Sequence, residues 1–166
     1  NGTITVILVP EVSITENNSP ICIDKDAYFY LEGTPDAEVT YSFDGGNTTS
    51  LVTLVEGTAT VIREEATSNV TLSLVSIELN SPGCIQNLNS TSTVVVKSPT
   101  ATISGPHIAC ESATLTAVTD ASSPIFEWGK DGQLITGESS STLVVTTPGE
   151  YQFLVTDDNT GCWNIS

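Results

Sequence analysis

Residues 111–155 read ESATLTAVTDASSPIFEWGKDGQLITGESSSTLVVTTPGEYQFLV. Ala113, Leu115 and Ala117 alternate with Thr114 and Thr116, the period-two pattern of a strand that buries one face. A second run ends at Trp128 and is followed by Asp131-Gly132, a turn signal. A third run is centred on Leu143, and a fourth opens at Tyr151 and carries Phe153 and Val155. No segment places apolar residues at helical spacing, so these runs are read as strands.

The same texture extends over the whole chain. Short runs of Val, Ile, Leu and Thr are broken by Gly, Pro, Asn and Asp every ~8–12 residues, which is the signature of a sandwich or barrel. Thr and Val are β-branched and suit a pleated, half-buried surface. Strands are predicted near 11–15, 26–33, 38–43, 50–55, 58–63, 69–79 and 91–97. A second set falls near 100–104, 112–119, 124–129, 132–136, 141–146 and 149–156. Asp44-Gly45-Gly46 is the strongest hairpin signal outside the opening stretch. The fold class is all-β.

An internal repeat sets the organisation. Residues 3–22 read TITVILVPEVSITENNSPIC and residues 91–110 read TSTVVVKSPTATISGPHIAC. Each gives a β-branched strand, a Pro, a second strand around Ile14 or Ile103, a loop and a Cys. Residues 1–8 then match the last strand of a preceding repeat, 9–97 form domain 1, and 98–166 form domain 2 with its last strand truncated. Lys97-Ser98-Pro99 is too short for a floppy linker, so two stacked domains are expected.

Composition narrows the function classes. Among 166 residues, four Lys or Arg face twenty Asp or Glu, for a formal net charge of −16. Lys25, Arg63, Lys97 and Lys130 are scattered and form no patch. Nucleic acid is therefore excluded as a partner, because phosphate binding needs clustered cations. No apolar run reaches the ~18 residues of a membrane helix, so no membrane insertion is expected. A hydrophobic content of 39% separates the chain from disordered acidic tails.

The opening stretch resembles the immunoglobulin-like β-sandwich. Trp128 stands where that fold keeps a core Trp on its third strand, a Lys-Asp-Gly turn follows, and Tyr151 stands at the tyrosine corner that opens the sixth strand. Ala117 and Phe153 occupy the positions where antibody domains carry their two cysteines. Residues 9–97 resemble the fold more loosely, with Tyr41 or Phe43 at the Trp position. The cysteines lie elsewhere: Cys22 and Cys110 precede the second strands, and Cys84 and Cys162 follow the sixth. Four cysteines allow three connectivities. One pair per domain at equivalent positions favours Cys22–Cys84 and Cys110–Cys162, each tying one end of its sandwich. Free thiols are the alternative. A zinc site is disfavoured, because there is no Cys-x-x-Cys and His107 is the only His. Disulfides would imply an oxidising, extracytoplasmic compartment.

With its repeats, the chain resembles tandem immunoglobulin-like modules of very large Bacteroidota cell-surface proteins, through the phrases SPICIDKDAYFYLEGTPDAEVTYSFDGG and PGEYQFLVTDDNTGC. That resemblance implies secretion, display on the bacterial surface, adhesion and, in some members, gliding motility. Neighbouring repeats of the same chain would be the partners, with surface glycans or other cells beyond them. Two other readings stand beside it. A leading strand at Thr3 to Val9 could complete an open sandwich in another copy, giving a pilus-like polymer by strand addition. Tyr28 and Tyr30, opposite Phe29 and Leu31 on one strand, could instead form an aromatic platform of a carbohydrate-binding accessory module.

Catalytic chemistry is not indicated, and no enzyme is expected. His107 sits in a loop, and no Gly-x-Ser-x-Gly or phosphate-binding loop occurs. No cofactor is implied. Asp24 with Asp26, and Asp157 with Asp158, are the acidic pairs that could take Ca²⁺, although neither matches an EF-hand; Glu64-Glu65 reads as solvated. Trp163 is assigned either to packing beneath a missing strand or to a contact surface. Asn-x-Ser/Thr occurs at Asn1, Asn17, Asn47, Asn69, Asn89 and Asn164 and matters only where the source glycosylates.

Overall fold

The computed structural model describes residue 2, residues 9–79 and residues 83–166. Apart from residue 2 and Val9, the expected leading strand lies outside the described residues. The chain divides into two compact units, residues 1–96 and 97–166, each with its own buried cluster.

The first unit contains β1 (Val12–Asn17), β2 (Ile21–Cys22), β3 (Lys25–Gly33), β4 (Ala37–Ser42) and β5 (Ser50–Thr53). It continues through β6 (Thr58–Ala66), β7 (Val70–Leu79), β8 (Cys84–Asn87), β9 (Thr91–Val94) and β10 (Val96–Lys97). One sheet has the order β1-β3-β6. The other has the order β5-β4-β7-β8, with β9 also on β7, and β10 pairs with β2. Alternation on β3 sends Ala27, Phe29 and Leu31 into the core, where they meet Val39 of β4 and Leu72, Leu74 and Ile77 of β7.

A period of two cannot place both Leu74 and Ile77 on one face. The register of β4 against β7 passes from Thr40↔Ser76 to Tyr41↔Leu74, so Val75 is an extra residue on β7. The bulge resets the alternation and returns Leu74 to the core. A similar slip leaves Thr15 unpaired between Ile14↔Leu31 and Glu16↔Tyr30. Gly33 lies where β1 enters the sheet, and a Cβ there would collide with the Glu11 carbonyl oxygen. The Asp44-Gly45-Gly46 turn does join the antiparallel strands β4 and β5. β2 and β8 have no counterpart among the predicted strands.

The second unit contains β11 (Thr102–Ser104), β12 (Ala113–Val118), β13 (Pro124–Lys130), β14 (Gln133–Leu134), β15 (Thr142–Val145), β16 (Tyr151–Asp157) and β17 (Trp163–Ile165). Its sheets have the orders β11-β12-β15 and β14-β13-β16-β17. The described residues therefore include a short last strand, β17, paired to β16 from Leu154 to Thr156. Leu115, Ala117 and Leu143 from one sheet pack against Phe126, Trp128, Phe153 and Val155 from the other.

The strand orders overturn the expected disulfide pairs. In the first unit, Cys22 lies at the β1–β3 turn, beside Ala66, which accepts from the Asp24 N–H. Cys84 is opposite Leu79, at the far end of β7. The nine steps of β7 span roughly 30 Å, whereas a disulfide needs Cα atoms within roughly 7 Å. The second unit repeats this arrangement. Cys110 is exposed in the loop before β12, while the Cys162 carbonyl accepts from the Asp157 N–H at the other end of β16. Cys84 and Cys110 are free thiols, and Cys22 and Cys162 are disulfide-bonded. One disulfide within each domain, as Cys22–Cys84 and Cys110–Cys162, does not form, because the turns that carry the paired residues sit at opposite ends of each sandwich.

Candidate functional site

The residues that carried the fold resemblance converge in the second unit. Trp128 and Phe153 are register partners on β13 and β16, both fully buried, with ring centroids 5.3 Å apart. Phe126 meets Phe153 edge-on at 5.9 Å. Ala117 faces them from the opposite sheet. The Trp128 indole N–H donates to the Ser140 carbonyl at 2.8 Å, which satisfies its one buried donor. The Tyr151 hydroxyl donates to the Thr147 carbonyl at 2.8 Å, the geometry of a tyrosine corner. Lys130 donates to the Thr147 hydroxyl at 2.8 Å and lies over the Tyr151 ring.

In the first unit neither Tyr41 nor Phe43 takes the place of Trp128. Both rings are only partly buried and pack at the margin of the core. Val39, completely buried, is the β4 residue at its centre.

The acidic candidates separate by what they accept. Asp157 takes hydrogen bonds from the Ser122 N–H and hydroxyl, the Ser123 N–H and the Asn159 N–H. Partial burial alone would raise its pKa, but the Ser122, Asn159 and Ser123 donors outweigh burial and hold it below the ordinary carboxylate range. Its lone pairs already have protein donors. Asp26 accepts from the Glu65 N–H at 3.0 Å, and its charge pushes the Tyr28 hydroxyl pKa upward. Asp24 has φ 62 in the turn after β2. Asp158 donates its N–H to the Ser123 carbonyl. Among the described residues no three His, Cys, Asp or Glu side chains gather as a metal-binding group.

Tyr28 and Tyr30 lie on the outer face of β3, with Tyr30 exposed and Ile62 of β6 exposed beside them. His107 and Glu64 and Glu65 are exposed. Trp163 lies on β17 and is 61% exposed. Asn17 donates to the Ser92 hydroxyl, and the Asn69 side-chain oxygen accepts from the Val96 N–H.

The feature that sequence reading did not single out is a cavity of about 560 Å³ in the second unit. The loop 105–112 and the turn between β15 and β16 form its walls, with Ile108, Cys110, Leu115, Val145, Pro148 and Tyr151 among its lining. Ile108 is 91% exposed. No sequence signal marked it: the repeat sets Ala109, not Ile108, opposite the buried Ile21.

No protein family model and no curated protein matches the chain. Solved structures do. A structure of tandem Ig repeats of Dlar is 12% identical, with 95% of this chain and 93% of that chain covered, at a TM-score of 0.34. Titin domains Z1Z2 in complex with telethonin give 16% identity, coverage of 98% and 95%, and a TM-score of 0.37. Chicken CNTN1 FN1–FN3 domains give 13% identity, coverage of 95% and 63%, and a TM-score of 0.36. The immunoglobulin-like character of the second unit stands on its own strand order. β11-β12-β15 face β14-β13-β16-β17 across a buried Trp, with a tyrosine corner at the foot of β16. No helix among the described residues is long and apolar enough to cross a membrane.

Proposed function

We propose that this chain is a structural and adhesive segment of a long secreted cell-surface protein, built from two immunoglobulin-like domains in tandem. The observation that carries this reading is the match between the sequence repeat, Pro10 recurring as Pro99, and two separately packed cores. A chain that repeats a self-contained sandwich with only residues 98–101 between strands suits extension and load transmission. The disulfide-bonded Cys22 and Cys162 favour an oxidising location. In this reading the segment is non-catalytic and needs no cofactor. Its neighbours are further repeats of the same polypeptide on a bacterial surface, and its service is adhesion, with gliding motility as the specialised case.

The test is the size of the native polypeptide. An antibody raised against this segment is used on source-cell surface protein run on a reducing, denaturing gel. A band of hundreds of kilodaltons is expected. A band near 17.4 kDa would replace the filament reading with that of a small independent subunit.

A further inference from the structure

A cavity of about 400 Å³ opens in the first unit where β4 leaves its sheet, lined from both sheets. Period-two alternation builds its walls. On β6, Ala59 and Val61 face the core, so Arg63 is the next residue of that row, and it lines the cavity. On the other side Tyr41 and Phe43 continue the core-facing row of Val39 and line the cavity in turn. Both rings are half-buried and meet edge-on, with centroids 5.7 Å apart. Ser50 of β5 and Ser68 of the turn between β6 and β7 lie in the same lining.

The polar groups of this cavity fall into two sets. The first is satisfied within the protein. Asp44, the one carboxylate of the lining, accepts from the Ser42 hydroxyl, the Thr48 N–H and the Thr48 hydroxyl. The Asn69 side-chain oxygen accepts from the Val96 N–H. The second set has no protein partner. Among the described residues the Arg63 guanidinium makes no ion pair and no hydrogen bond, and the hydroxyls of Tyr41, Ser50 and Ser68 make no hydrogen bond. Asp44 is supplied with donors by its own loop and does not claim the guanidinium.

We infer that this cavity is a binding site for a sugar carrying a single carboxylate, a uronic acid residue at the end of a glycan. The guanidinium is a planar fork of donors that matches the two oxygens of a carboxylate. The pyranose ring supplies the remaining matches: C–H faces against the Tyr41 and Phe43 rings, and ring hydroxyls for the Tyr41, Ser50 and Ser68 hydroxyls. The cavity lies within the range of small-molecule sites, about 300–1,000 Å³. Charge selects the kind of anion. Residues 1–96 hold Lys25 and Arg63 against twelve Asp or Glu. That field repels polyanions and phosphate dianions, and a single guanidinium balances a single negative charge. The site goes beyond the filament reading and does not rest on it, since that reading stands on the size of the native polypeptide.

The test uses the whole chain, with methyl β-D-glucuronide as the probe. Arg63 is the sole arginine of the sequence, so its side-chain Nε–H gives one assigned resonance in isotope-labelled protein. Saturable movement of that resonance is expected. Arg63→Gln, followed through the backbone amides of Ser50 and Ser68, should weaken binding about tenfold or more, the worth of a charge-assisted hydrogen bond. Arg63→Lys should fall between the two, because the ammonium keeps the charge and loses the fork. Arg63 is exposed, so both variants should keep the fold, which an unchanged amide spectrum away from the cavity verifies. Methyl β-D-glucoside has the ring without the carboxylate, and acetate has the carboxylate without the ring. Each should bind about tenfold more weakly than the glucuronide or worse. The proposal is overturned if the glucuronide leaves the Arg63 resonance in place, or if Arg63→Gln binds it as tightly as the parent. Acetate or N-acetylglycine binding as tightly as the glucuronide also overturns it, because the cavity would then read a bare carboxylate or a peptide end and not a sugar.

Discussion

Trp128 and Phe153 sit opposite one another on β13 and β16, their rings 5.3 Å apart and inclined by 50°. Each is fully buried, and with Ala117 facing from the other sheet Phe153 fills the space that the inter-sheet disulfide occupies in antibody domains, Trp128 packing against it. Truncating either leaves a void that the surrounding strands cannot close. Trp128→Ala should cost the second unit about 3–5 kcal/mol. The measurement is chemical denaturation of the variant followed by circular dichroism. The transition of the first unit should be unmoved, because its core shares no buried residue with the second.

The tyrosine corner makes a smaller, sharper prediction. Tyr151→Phe keeps the ring against Lys130 and removes one hydroxyl, which donates to the Thr147 carbonyl. The loss should be about 1 kcal/mol, the net worth of one hydrogen bond. Both Trp residues, Trp128 and Trp163, lie in the second unit, so fluorescence reports that unit alone. In a Trp163→Phe background Trp128 is the sole reporter. Its denaturation midpoint should shift down for Tyr151→Phe.

Much of this architecture was legible in the residues. Strict alternation exposed the core faces of β3 and β12. Trp128 with Tyr151 identified the strands that flank the second core. What escaped depends on strand order more than on pattern. The bulge at Val75 is invisible because Val-Ser-Ile reads as an uninterrupted strand. The equivalence of Cys22 with Cys110, and of Cys84 with Cys162, invited one bridge per unit. Equivalence, however, fixes only which turn a residue occupies. The turn before the second strand and the turn after the sixth stand at opposite ends of a sandwich.

The cysteine assignment is directly testable. Native, unreduced protein treated with iodoacetamide should be modified at Cys110 first, since it is exposed, and more slowly at Cys84, which is half-buried. Thiol access sets that order. Cys22 and Cys162 should be modified only after reduction. Peptide mass mapping reads the outcome, and a Cys22–Cys84 or Cys110–Cys162 cross-linked peptide would contradict the strand order itself.

Acid should weaken both units, and the direction follows from three carboxylates. The Ser42 hydroxyl, the Thr48 hydroxyl and the Thr48 N–H hold Asp44 well below the ordinary carboxylate range. The Thr100 N–H and hydroxyl lower Asp120 in the same way. At Asp157 burial works in the opposite sense and is outweighed by the Ser122, Asn159 and Ser123 donors. A carboxylate whose folded pKa lies below its unfolded value, about 3.9 for Asp, stabilises the fold above that value. The contribution is lost as pH falls from there through the folded pKa, because the unfolded chain then binds more protons. Thermal midpoints should therefore hold between neutral pH and about pH 5 and fall steeply below about pH 4. Asp44→Asn should lower the midpoint of the first unit at pH 7 and flatten its decline in acid, since the variant has no proton to take up there. An acid decline as steep as that of the parent would show that Asp44 does not drive the loss.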